Sequence, residues 1–129
     1  MRQSTIIYHA LALSLLILLY CPHPVTAGDI PPEIPVKDTV TLVDLGAKTC
    51  IPCKLMAPIL DELKKEYTDR AAIIFIDVWK KPEILKKFTI KTIPTQIFYD
   101  KNGKETFRHI GFMDKKSIVT KLEELLAER

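Results

Sequence analysis

The sequence predicts an α/β domain with a mixed central sheet and helices on both faces, and three observations carry that prediction. Apolar runs of strand length alternate with amphipathic stretches of helical period. The early strands are separated by a helical stretch, as a parallel pair requires. The last two are joined by the short turn Asp100-Lys101-Asn102-Gly103, as an antiparallel pair allows. The 129 residues, 47% hydrophobic and 27% charged, suit one domain with a buried core. That composition excludes disorder for the body of the chain, and 3 Cys are too few for a disulfide-dense mini-scaffold. A formal charge of +3 makes no case for nucleic acid.

Residues 1–27 read as a secretory signal: Arg2, an apolar run from Ile6 to Cys21, Pro22 and Pro24, then Val25-Thr26-Ala27 before Gly28. The expected location is the periplasm or otherwise outside the cytoplasm. If the leader stays uncleaved, residues 6–21 become a membrane anchor. Lipid attachment at Cys21 fits less well, because Leu19-Tyr20 is bulky where such a signal wants small residues. Cleavage removes Cys21 and leaves Cys50 and Cys53, which in an exported protein are thiols open to oxidation. Residues 28–39 hold Pro31, Pro32 and Pro35 and predict an extended lead-in to a domain over 40–129.

Val40 to Leu45 is β-branched and apolar around Thr41 and Asp44, a buried-strand pattern that runs into Gly46 and the cysteines. From Cys53 onward Leu55, Met56, Ile59, Leu60, Leu63 and Tyr67 form the stripe of an amphipathic helix, with a kink expected at Pro58. Ala71 to Val78 is a continuous apolar run typical of a strand covered on both faces, with Trp79 packing near its end. Pro82 can open a short helix whose apolar face is Ile84, Leu85 and Phe88. Thr95 to Tyr99 and Glu105 to Ile110 make a hairpin. Ile118, Val119, Leu122, Leu125 and Leu126 mark a last helix capped by Asp114.

Chemistry concentrates in Cys50-Ile51-Pro52-Cys53, where a strand gives way to a helix. Unpaired N–H groups and the dipole at a helix start favour an anion, so the Cys50 thiol is expected to ionise below a free thiol and to be the attacking sulfur. Cys53 lies one turn on, close enough to close a disulfide or to resolve a mixed disulfide on Cys50. Pro52 stiffens the loop at an early helical position. Other readings stay open at this level. The pair could be an inert structural disulfide, although so short a loop gains little from constraint. A metal site would fall short of four ligands even with His109. The doublets Lys80-Lys81, Lys86-Lys87 and Lys115-Lys116 read as solvated faces.

From Val40 to Leu126 the chain resembles the thioredoxin family. The resemblance rests on Val43-Asp44, Cys50-Ile51-Pro52-Cys53-Lys54, Ala57-Pro58-Ile59-Leu60, Ile76-Asp77-Val78, Thr92-Ile93-Pro94-Thr95 and Asn102-Gly103-Lys104 before Gly111, in that order. It implies a thioredoxin fold and a thiol-disulfide oxidoreductase acting on protein disulfides, with no cofactor or metal beyond the redox-active Cys50-Cys53 disulfide. It further implies a cis Ile93-Pro94 bond packed on that disulfide, with Ile93 backbone free to pair with substrate. Asp44 corresponds to a buried carboxylate that takes the proton of Cys53, and Lys54 to a residue that tunes the site by charge. The family's usual Trp before the first Cys is replaced by Thr49, and its first strand and helix are missing. The resemblance leans toward a monomeric reductase recharged by a membrane thiol donor. The contrasting expectations are a non-catalytic binding module on the same fold and a metal-delivery protein.

Overall fold

The computed structural model describes residues 33–128. The leader and residues 28–32 of the lead-in lie outside that range. Seven elements follow in the predicted order: β1 (Val40–Gly46), α1 (Ile51–Glu66), β2 (Ala71–Asp77), α2 (Glu83–Lys87), β3 (Thr95–Tyr99), β4 (Glu105–Ile110) and α3 (Lys115–Ala127). Among the described residues the strands form one sheet in the order β2-β1-β3-β4. β1 and β2 run parallel, with α1 as the crossover, while β1-β3 and β3-β4 are antiparallel. The mixed sheet is therefore as expected.

The alternation of β1 distributes two cores. Val40 and Leu42 face α1 and α3, where they pack with Met56, Leu60, Leu63, Phe98, Ile118 and Leu122. Val43 and Leu45 face the other way, toward α2, with Ile97, Val78 and Phe88. Helices thus cover both faces, and β1 is buried along its whole length. Ile34 of the lead-in packs against the second core.

Local chemistry explains the ends. Asp114 caps α3, its carboxylate accepting from the Ser117 N–H at 3.0 Å. Asp100 Oδ1 accepts from the N–H of Asn102 and Lys104, and Gly103 takes a φ of 77° that closes the hairpin turn. α1 continues through Pro58, so the missing donor does not end it. β2 packs Ala71, Ile73 and Phe75 against the first core and Ile76 against the second, and as an edge strand it is mostly half-buried. One expectation needs correction. Trp79 does not pack at the strand's end. Its side chain is exposed, the residue being 60% accessible, and its backbone N–H donates to Asp77 Oδ1 at 3.1 Å.

Candidate active site

The site forms where the buried end of β1 meets the start of α1. β1 ends at Gly46, Ala47 turns the chain by accepting the Cys50 N–H, and α1 begins at Ile51. The helix starts two residues earlier than its apolar stripe indicated, because Cys50 itself is the N-cap. Its Sγ accepts the Cys53 N–H at 3.3 Å, and its carbonyl accepts the Lys54 N–H at 3.0 Å. The sulfur thus sits where the helix leaves N–H groups unpaired, and the first turn carries no acid to oppose an anion there.

Cys50 and Cys53 are joined by a disulfide with Cα atoms 5.2 Å apart. The two sulfurs face different surroundings. Cys50 is half-buried, whereas Cys53 is 4% exposed on the inward face of α1. Ile51 and Pro52 between them are exposed, Ile51 at 76%. An incoming group meets the Cys50 side first.

Gly46 makes the seat for Cys53. A Cβ placed there would lie 3.2 Å from Cys53 Sγ and 3.2 Å from a ring carbon of Phe75, closer than ordinary packing. Asp44, two residues back on the same face of β1, therefore lies about 7 Å deeper along the strand. It is fully buried. Gln96, its partner on β3, donates Nε2–H to Asp44 Oδ1 at 2.7 Å, while Asp44 Oδ2 and Gln96 Oε1 find no hydrogen-bond partner among the described residues. Burial pushes the Asp44 carboxyl up to about 6, and the Gln96 hydrogen bond pulls in the opposite direction. A carboxyl in this range exchanges a proton near neutral pH.

Gln96 was not singled out by the sequence. Its one signal is a polar residue on the apolar strand Thr95–Tyr99, and only the β1-β3 register shows that it meets Asp44.

Lys54 is exposed on α1 and shares with Cys53 the wall of a cavity beside the disulfide. Pro94 is buried and directly precedes β3, whose Thr95 pairs with Leu45, so Ile93-Pro94 lies at the same sheet end as the Cys50-Cys53 loop. The Ile93-Pro94 bond is cis, and Pro94 carbonyl accepts the Gly111 N–H at 2.8 Å. His109 lies on β4 opposite Gln96, with Nε2 3.1 Å from the Phe112 carbonyl. The structure thus gathers Cys50, Cys53, Ile51, Pro52 and Lys54 on one helix start, Asp44 beneath it, and Ile93-Pro94 just before the neighbouring strand β3.

Comparison with known proteins agrees with this geometry. The thioredoxin family model matches residues 27–124. The chain is 37% identical over 95 residues to the chloroplastic M-type thioredoxin of Spinacia oleracea, covering 74% of this chain and 49% of that one. The chain thus spans about half the length of that relative. It is 36% identical over 91 residues to the thioredoxin of Staphylococcus saprophyticus, covering 70% of this chain and 86% of the relative. Among solved structures, chloroplastic thioredoxin z superposes with a TM-score of 0.64 at 31% identity, over 70% of this chain and 80% of that one. The pneumococcal exposed lipoprotein thioredoxin Etrx1 of Streptococcus pneumoniae gives 0.61 at 26% identity, over 69% and 87%. With a Cys50-Cys53 disulfide at the head of α1, the chain belongs to the thioredoxin family, as a thiol-disulfide oxidoreductase.

Proposed function

We propose that the protein reduces disulfides of other proteins outside the cytoplasm. The observation that carries this reading is the asymmetry of the pair: Cys50 caps the helix and is partly open to solvent, while Cys53 faces inward from its first turn and is buried. In the reduced protein the Cys50 thiolate attacks one sulfur of the target disulfide, forming a mixed disulfide and releasing the other target sulfur as a thiolate. Cys53 then gives its proton to Asp44 and attacks the Cys50 sulfur. This forms the Cys50-Cys53 disulfide and expels the second target sulfur. Two electrons pass to the target, so each cycle requires two electrons from a donor, which for an exported protein is a membrane thiol carrier. Ile93 and Pro94 form the ledge on which an extended substrate lies, with Ile51 and Pro52 facing it. Lys54 favours the anionic state by its charge. The leader at residues 1–27 delivers the chain, which acts as a monomer.

Insulin reduction tests the reading. Cys50→Ser should abolish turnover, whereas Cys53→Ser should retain capture and accumulate a mixed disulfide on Cys50, visible as a mass increase. Turnover surviving Cys50→Ser refutes it. Titration of the couple against glutathione tests direction: a strongly reducing potential supports the reductase, and an oxidising one reverses the flow. Location is tested by the N-terminus of the isolated protein, which should be Gly28.

A further inference from the structure

We propose that the outer edge of β2, with the groove between it and α1, docks an extended acidic segment of a partner protein. This surface is separate from the ledge at Ile93-Pro94. Among the described residues no strand pairs with the far side of β2. The ladder fixes which backbone groups are free there. The Val78 N–H donates to Gly46 O, and in the parallel register with β1 this turns the N–H and C=O of Ala72, Ile74 and Ile76 toward β1. Ile73 and Phe75 therefore aim both groups outward, joined by the Asp77 N–H. Edges are commonly blunted by lysine, proline or a bulge, and Ala71 to Ile76 carries neither residue nor a register break.

An added strand would align every second side chain with Ala71, Ile73 and Phe75, which face α1. On that face lies a cavity of about 450 Å³, floored by Cys53, Ala57 and Leu60 and walled by Phe75. Its rim is basic. Lys48, Lys54 and Lys64 are exposed and in no ion pair among the described residues, against the single acid Asp61. This charge chooses the occupant. Two copies pairing by β2 about an axis normal to the sheet would keep both α1 helices on one face and turn the two lysine rims toward each other. An acidic partner strand instead bonds Ile73 and Phe75 along the main chain, seats apolar side chains of its α1-facing side in the groove and brings carboxylates at the two ends of that same side to the lysines. Cys50 does not line this groove, so a docked partner leaves the attacking sulfur free and holds its own disulfide at raised local concentration.

The test titrates the isotope-labelled, oxidised protein with a pool of cysteine-free octapeptides. On the face of the strand that meets α1 these carry Glu, two apolar residues drawn from Val, Leu, Ile and Phe, and Glu in that order, with Thr at the positions between; a control pool has Lys for Glu. The acidic pool should shift the amide resonances of Ile73, Phe75 and Asp77, weaken with added salt, and lose about fivefold in affinity in Lys64→Glu. Phe75→Pro, which removes an outward N–H and leaves the β1 ladder whole, should weaken it further. Reduction of a small-molecule disulfide by Lys64→Glu should be unchanged, which separates this surface from the redox reading. No shift at millimolar peptide, equal binding of both pools, or shifts confined to the neighbours of Pro94 overturns the proposal. So does a concentration-dependent dimer whose formation protects the β2 amides, which would assign the edge to a second copy.

Discussion

Asp44→Asn isolates the cost of keeping a carboxyl beneath the disulfide. Asp44 has no contact with solvent, and one of its oxygens is held by the Gln96 amide. Burial raises its titration from 3.8 to about 6. In the unfolded chain the same group is ionised above about pH 4, so from there to about pH 6 unfolding releases a proton and stability falls as pH rises. The stabilising difference is complete below the unfolded value and gone once the folded group has ionised. A rise of roughly 2 units at about 1.4 kcal/mol each amounts to about 3 kcal/mol by pH 7. Asn keeps an oxygen for Gln96 to donate to and cannot ionise. The variant should therefore match the parent near pH 4 and exceed it above pH 7 by up to about 3 kcal/mol. Urea denaturation of the oxidised protein across that range measures the gap, with the cysteines silent. A gap that does not change with pH refutes the reasoning, because a lost or gained contact would shift both ends equally.

Three further substitutions read neighbouring features. Gln96→Leu removes the hydrogen bond that lowers the Asp44 carboxyl, so in the same denaturation series the fall in stability should extend to higher pH than in the parent. Phe98 is fully buried between β1, Phe107 and α3, so Phe98→Ala should cost about 3–5 kcal/mol in urea unfolding. Gly46→Val places carbon against Cys53 Sγ and Phe75, and overpacking should lower stability by about 1–3 kcal/mol, with a displaced Cys53 slowing release of the mixed disulfide in a stopped-flow assay.

Element order was legible because each element is specified locally. The strands Thr95–Tyr99 and Glu105–Ile110 stand where their alternation and the Asp-Lys-Asn-Gly turn placed them, and α3 begins after its predicted cap. The start of α1 precedes its apolar stripe for an equally local reason. Periodicity is visible only where a helix has an apolar stripe, and Ile51 and Pro52 in its first turn are exposed. What periodicity cannot carry is the number of neighbours a strand has. Ala71 to Asp77 has the composition of a central strand and lies at an edge, since apolar content reports cover on the faces and says nothing of partners alongside.

The redox pair and its tuning divide along the same line. Cys50 and Cys53 are three residues apart on one helix start, so a chain segment suffices to show both the pair and the dipole that acts on it. The carboxyl below them is set by residues remote in sequence. Gln96 is 52 positions from Asp44 and meets it through the β1-β3 register. Shifting that register by one residue would turn Gln96 toward the α2 face and leave Asp44 with neither oxygen bonded. Ionisation there would then cost more, and the group would hold its proton to higher pH. The sheet register therefore bears on the proton chemistry as directly as the cysteines bear on the sulfur chemistry, and Gln96→Leu is the substitution that separates the two.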